Sequence, residues 1–164
     1  MILPYIFTAL ITAVALILQG TNIIAIAGKK PDLVFIIVVY IGYSFGSFNG
    51  QLVGFIGGLF HDSISRSPLG LLTLPKVVLG FMAGMFGRGV VKNTVVTIML
   101  LLFVASVLKG ILTLFLAYIF HQALLVSIIQ VILPEALYNA VIAPPLFFIF
   151  DRIYHGELER GGFL

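Results

Sequence analysis

The sequence predicts an all-α membrane protein, a polytopic bundle of about six transmembrane helices forming a single domain over residues 1–164. Three observations carry that expectation. Hydrophobic residues make up 61% of the chain and charged residues only 9%, where a soluble domain carries roughly a quarter charged residues. Mean hydropathy is +1.22. The apolar residues fall in long runs between short polar breaks, and a helix needs about 20 apolar residues to cross a bilayer. So little polar surface cannot coat a water-soluble globule, so no soluble catalytic or nucleic-acid-binding domain is hidden in the chain. The net charge of +3 is too small and dispersed to suggest a nucleic-acid partner. With no cysteine, thiol catalysis, disulfides and thiolate metal sites are excluded. Tryptophan is absent, so tyrosines must supply much of any interfacial aromatic belt.

The first helix is expected from Leu3 to about Ala27, stopped by Gly28-Lys29-Lys30-Pro31. Ala25-Ile26-Ala27 looks like a signal cleavage site. However, the preceding apolar run is about 20 residues, and no basic segment opens the chain, so a retained helix is expected. Leu33 to Phe60 is too long for one straight span and short for two. Gly46-Ser47-Phe48-Asn49-Gly50 reads as a break, giving two short helices; one long tilted helix, and five spans in all, is the alternative. A polar loop from His61 to Gly70 follows. Further helices are expected from Leu71 to Phe86 and from Thr94 to Phe120. Ala123 to Val131, interrupted by Ser127 and Gln130, suits the interface. Pro134 opens the last helix, to about Phe150, ahead of a mixed-charge tail. With the N-terminus in the cytoplasm, Arg88, Lys92, Arg152 and Arg160 fall inside and Lys29, Lys30 and Arg66 outside, a margin of one residue for the positive-inside rule.

Gly42, Gly46, Gly50, Gly54 and Gly58 recur every four residues, and Gly80 and Gly84 repeat the spacing. Ala9 with Ala13 is a softer version. Such faces let helices approach closely in lipid. Spacing alone leaves two uses open: packing among the protein's own helices, or docking of a partner's transmembrane helix.

Polar groups at membrane depth are the other candidates. Asp62 and Arg66 can pair across one turn if the chain stays helical there. Pro68 and Gly70 punctuate the turn that follows. His61 next to Asp62 invites a proton-transfer role, but adjacent residues do not share a helix face. Lys109 lies about 15 Å from the end of its apolar run, too deep to snorkel. An intramembrane lysine marks a functional site facing a partner, and Asp62 and Glu135 are the candidate carboxylates. Lys76, nearer a helix end, can snorkel. Glu135 after Pro134 suits a helix start. Pro144 and Pro145 free the carbonyls of Ala140 and Val141, which predicts a kink. Tyr138 and Asn139 are placed to satisfy the freed groups, and a kinked polar helix can line a cavity. The chain has no HExxH, GxSxG, P-loop or carboxylate cluster, so no catalytic residue, metal site or cofactor is expected.

Three segments together resemble the MreD family of the bacterial rod-shape system. Lys30-Pro31-Asp32-Leu33 resembles its entry to the second hydrophobic block. Gly54-x-x-x-Gly58-x-x-x-Asp62-x-x-Ser65-x-Ser67-x-Leu69-Gly70 resembles its central signature, followed by small residues at Gly80, Ala83 and Gly84. Pro134-Glu135-x-Leu137-Tyr138-Asn139 with Pro144-x-Leu146-Phe147 resembles its C-terminal segment. The nearly absent N-terminal cytoplasmic stretch departs from the family. The resemblance implies a non-enzymatic scaffold in the bacterial inner membrane. Its direct partner would be the single-span protein MreC. Indirect partners would be MreB, RodA and RodA's transpeptidase in lateral peptidoglycan synthesis. It also implies a six-helix bundle like the substrate-binding components of energy-coupling factor transporters. The partner surface expected from the sequence is Gly50, Gly54, Gly58, Asp62, Arg66, Pro68, Gly70, Gly80 and Gly84. A small-molecule-binding transporter component, using Lys109 and the last helix, is the alternative.

Overall fold

A computed structural model describes residues 3–21, 30–87, 94–121 and 131–160. All regular structure among them is helical: α1 (Leu3–Gly20), α2 (Leu33–Phe45), α3 (Ser47–Ser65), α4 (Thr73–Met85), α5 (Val95–Ile119), α6 (Leu133–Ile153) and a short α7 (His155–Arg160). Two of them, α5 and α6, are long and apolar enough to cross a membrane. At 13 residues each, α2 and α4 rise only about 20 Å, less than the ~30 Å hydrocarbon core.

The bundle is built around α2. Every residue from Val34 to Ser44 is buried, and α3, α4, α6 and α1 surround it. An apolar helix without a polar face has no side to give to water, so it sits in the centre. At one end of the bundle Tyr40 packs on Phe147 and Phe150, each with ring centroids 5.0 Å away, and donates a hydrogen bond to Asp151 (2.9 Å). There too the Thr8 and Tyr154 hydroxyls meet at 2.7 Å, joining the start of α1 to the end of α6.

The break in the second hydrophobic block is sharper than expected. It is confined to Gly46, at φ +92°, a conformation that costs glycine little, and helix resumes at Ser47. The expected polar loop is also shorter. Helix α3 continues through His61 and Asp62 to Ser65, then ends on Arg66 in the left-handed region (φ 53°), whose N–H bonds the Asp62 carbonyl. Helix α6 runs through Pro144 and Pro145 as one element. The expected cleavage-like Ala25–Ala27 segment and most of the expected interfacial segment, 123–130, lie outside the described residues, as do Arg88 and Lys92.

The glycine faces are used inside the bundle. A Cβ on Gly54 would stand 2.8 Å from the Lys76 carbonyl oxygen, and one on Gly58 2.6 Å from the Thr73 Cα. On Gly80 it would meet the Gly50 carbonyl oxygen at 2.5 Å; Gly50 faces Gly80 in the same way, and Gly84 faces the Ser47 backbone. These five glycines were expected on a partner surface. In the structure they line the contact where α3 and α4 meet backbone to backbone.

Candidate functional site

Asp32 is the last residue before α2, and its side chain caps that helix by accepting from the Phe35 N–H at 3.0 Å. A carboxylate there complements the helix dipole. Three other elements converge on the same carboxylate. The Lys76 ammonium of α4 lies 3.0 Å from Asp32 Oδ2 and the Lys109 ammonium of α5 lies 2.8 Å from it. Gln19 of α1 donates to Oδ1 at 3.0 Å. The Asp32 backbone N–H donates to Asn139 Oδ1 of α6 at 2.9 Å, and the Asn139 amide donates onward to Ser106 at 3.0 Å. Lys109 also bonds Glu135, at the start of α6, and stands 5.2 Å above the Phe35 ring, in range of a cation–π contact. Asp32, Lys76, Lys109 and Asn139 are all buried.

Two cations and two carboxylates bring this network to zero net charge. Burying any one of them alone would cost several kcal/mol, whereas a paired set with its remaining lone pairs satisfied is tolerated. The fifth member, His61 of α3, stands 3.1 Å from the Lys76 ammonium through Nδ1. With Lys76 as an ammonium, which only donates, His61 Nδ1 is the acceptor.

The sequence expectations are redistributed here. Lys109 meets Glu135 and Asp32; Asp62, the other candidate carboxylate, is elsewhere. Lys76 does not snorkel; its side chain is fully buried against Asp32. Asn139 serves the Asp32 amide and Ser106 rather than carbonyls freed by Pro144 and Pro145. Tyr138 is half-buried beside it on α6. Sequence reasoning missed Asp32 as the hub and His61 as a neighbour of Lys76. Two signals were present: an aspartate directly before an apolar run is an N-cap pattern, and only Asp32, Asp62 and Glu135 precede the C-terminal acids.

Asp62 forms a second polar centre and does not pair with Arg66. The left-handed turn at Arg66 carries that side chain out to an exposed position. Asp62 is fully buried and accepts from the Ser67 hydroxyl (2.9 Å), the Gly70 N–H (2.8 Å), the Leu72 N–H (2.8 Å) and the Thr73 hydroxyl (2.6 Å). It thus folds the turn through Pro68 and caps α4 from outside that helix. Gly70, at φ +102°, lets the turn double back. Leu69 is left 68% exposed at its tip. Among the described residues no group of three His, Asp or Glu side chains is placed to hold a metal ion.

Against known families, the model described as rod shape-determining protein MreD matches residues 1–155. No curated protein matches the chain.

Proposed function

The chain belongs to the MreD family of rod shape-determining proteins, and from that premise we propose a multi-pass, non-enzymatic scaffold of the bacterial inner membrane. It binds MreC and biases the conformation through which MreC regulates lateral peptidoglycan synthesis by MreB, RodA and the RodA transpeptidase. Membership gives the chain its role in rod-shape determination; the family match over residues 1–155 is the observation that carries the reading. The geometry is compatible with a scaffold. The buried ions are spent on one another, tying α1, α2, α4, α5 and α6 together. Lys109, which invited a small-molecule site, has its charge engaged by Asp32 and Glu135. Asp62 fastens a turn that presents Arg66 and Leu69 outward, a rigid surface for the segment of MreC adjoining its membrane helix. A scaffold shifts a partner's conformational equilibrium only by binding its two states with different affinity.

Coexpression with the organism's MreC-type protein, detergent copurification and native mass spectrometry test this. A complex of defined stoichiometry is the expected result. A well-folded protein that ignores MreC and carries a bound small molecule would replace the scaffold with a transporter component.

A further inference from the structure

We propose that the lateral groove between α1 and α3 is the seat of a partner's transmembrane helix, one with a small-residue face and a hydroxyl or amide side chain at mid-membrane depth. The groove encloses about 470 Å³. Ala9, Thr12 and Ala13 of α1 form one wall and Val53, Ile56 and Gly57 of α3 the other. Every glycine pair at spacing four on α3 and α4 is closed by the protein's own backbone. The Ala9/Ala13 face is different: both alanines are exposed. It is a small-residue face left open, and such faces bring helices together in lipid.

A second, independent observation points to what fills it. Thr12 lines the groove with 8% of its surface exposed, and its hydroxyl has no hydrogen-bond partner. A buried hydroxyl without a partner costs about 1–3 kcal/mol, and in lipid no water is present to relieve it. Thr12 lies nine residues into α1, about 14 Å along its axis. At that depth a phospholipid offers only methylenes, so an acyl chain fills volume and leaves the hydroxyl unsatisfied. A polar side chain on an incoming helix can supply the missing partner. The α5 and α6 faces of a second copy of this chain fit less well, and pairing through its own α1 is distinguished from MreC by the cross-links below. The outward faces of α5 and α6 carry bulky Val96, Leu100, Phe115 and Phe148, neither small nor polar. This inference rests on the proposed docking of a single-span partner and names the surface.

The chain contains no cysteine, so single cysteines report position cleanly. Ala13→Cys and Val53→Cys, paired with a cysteine scan along the MreC transmembrane helix in native membranes, should cross-link in a helical repeat. Val141→Cys, on the outward face of α6, should remain silent. Ala13→Phe, which fills the groove from an exposed position, should lower MreC copurification about tenfold or more with an unchanged melting temperature. Cross-links at Val141 with silence in the groove would overturn the groove and keep the scaffold. Cross-links between two copies at Ala13 would overturn the partner assignment in favour of a homodimer. Phospholipid retained by the wild type and lost in Ala13→Phe, with MreC binding intact, would overturn it in favour of a lipid. Absence of any complex, with or without the substitutions, would remove the scaffold reading itself.

Discussion

Asp32 gathers side chains from α1, α4 and α5 onto one carboxylate. Its carboxylate is the shared acceptor of two buried ammonium groups and the cap of the central helix. Replacing it with asparagine keeps the shape and removes the charge, leaving Lys76 with no carboxylate within reach. Losing one member of a buried ion set typically costs about 3–5 kcal/mol; Asp32→Asn should cost at least that, read as the shift of the unfolding midpoint in detergent. Glu135→Gln should cost less than Asp32→Asn, because Glu135 is a quarter exposed and Lys109 keeps Asp32. Equal effects of the two substitutions would show that Asp32 is not the hub. Asp62 acts locally. Asp62→Ala should speed amide hydrogen exchange at Gly70, Leu72 and Thr73 by about tenfold or more while the Asp32 network stays protected. Beyond the N-cap position of Asp32, none of these roles is visible in residue spacing. Asp62 and Arg66 stand four apart, as a helical ion pair would, but the left-handed turn at Arg66 separates them.

At the scale of elements, the helices were legible and their mutual use was not. Hydrophobic runs, Gly46 and Pro134 placed α2 through α6 to within a few residues, because a membrane helix is written in continuous apolar length. The extension of α3 to Ser65 was not written that way. His61 and Asp62 look like loop residues until their partners on α4 are known. The glycine stripes were recognised as close-approach faces, yet whether the approaching backbone is the protein's own depends on tertiary contacts. The structure answers with α4: Gly54 faces Lys76, Gly58 faces Thr73, and Gly50 faces Gly80. Gly80→Val should therefore separate α3 from α4 and yield a protein that loses its cooperative thermal transition. A bulky side chain on the outward face, as in Val78→Phe, should leave the melting temperature within about 2 °C. If Gly80→Val melts like the wild type, the helices do not pack backbone to backbone.

For the molecule as a whole, the remaining question is which end faces the cytoplasm. Charge alone favours an inside N-terminus by one residue. The structure adds which groups share an end. Thr8 at the start of α1 meets Tyr154 beyond the end of α6, so both lie at one level, as an even number of crossings requires. At the other end, Gln19 near the end of α1 and Glu135 at the start of α6 both reach the Asp32 network, and the Arg66 turn follows His61 there. If all six helices cross, the 13-residue α2 and α4 would set that network below the headgroups. Irregular backbone is tolerated at such depth only because surrounding helices cover it. We propose six crossings, with the start of α1 and the end of α6 on the cytoplasmic side. In a chain without cysteine, Arg66→Cys in intact spheroplasts should react with a membrane-impermeant maleimide, and Arg152→Cys should react only after lysis. The reverse pattern would invert the molecule and move the Arg66 turn to the cytoplasmic side. Labelling of both positions from outside would require an even number of crossings between Arg66 and Arg152, and α4, α5 or α6 would have to be withdrawn as a span.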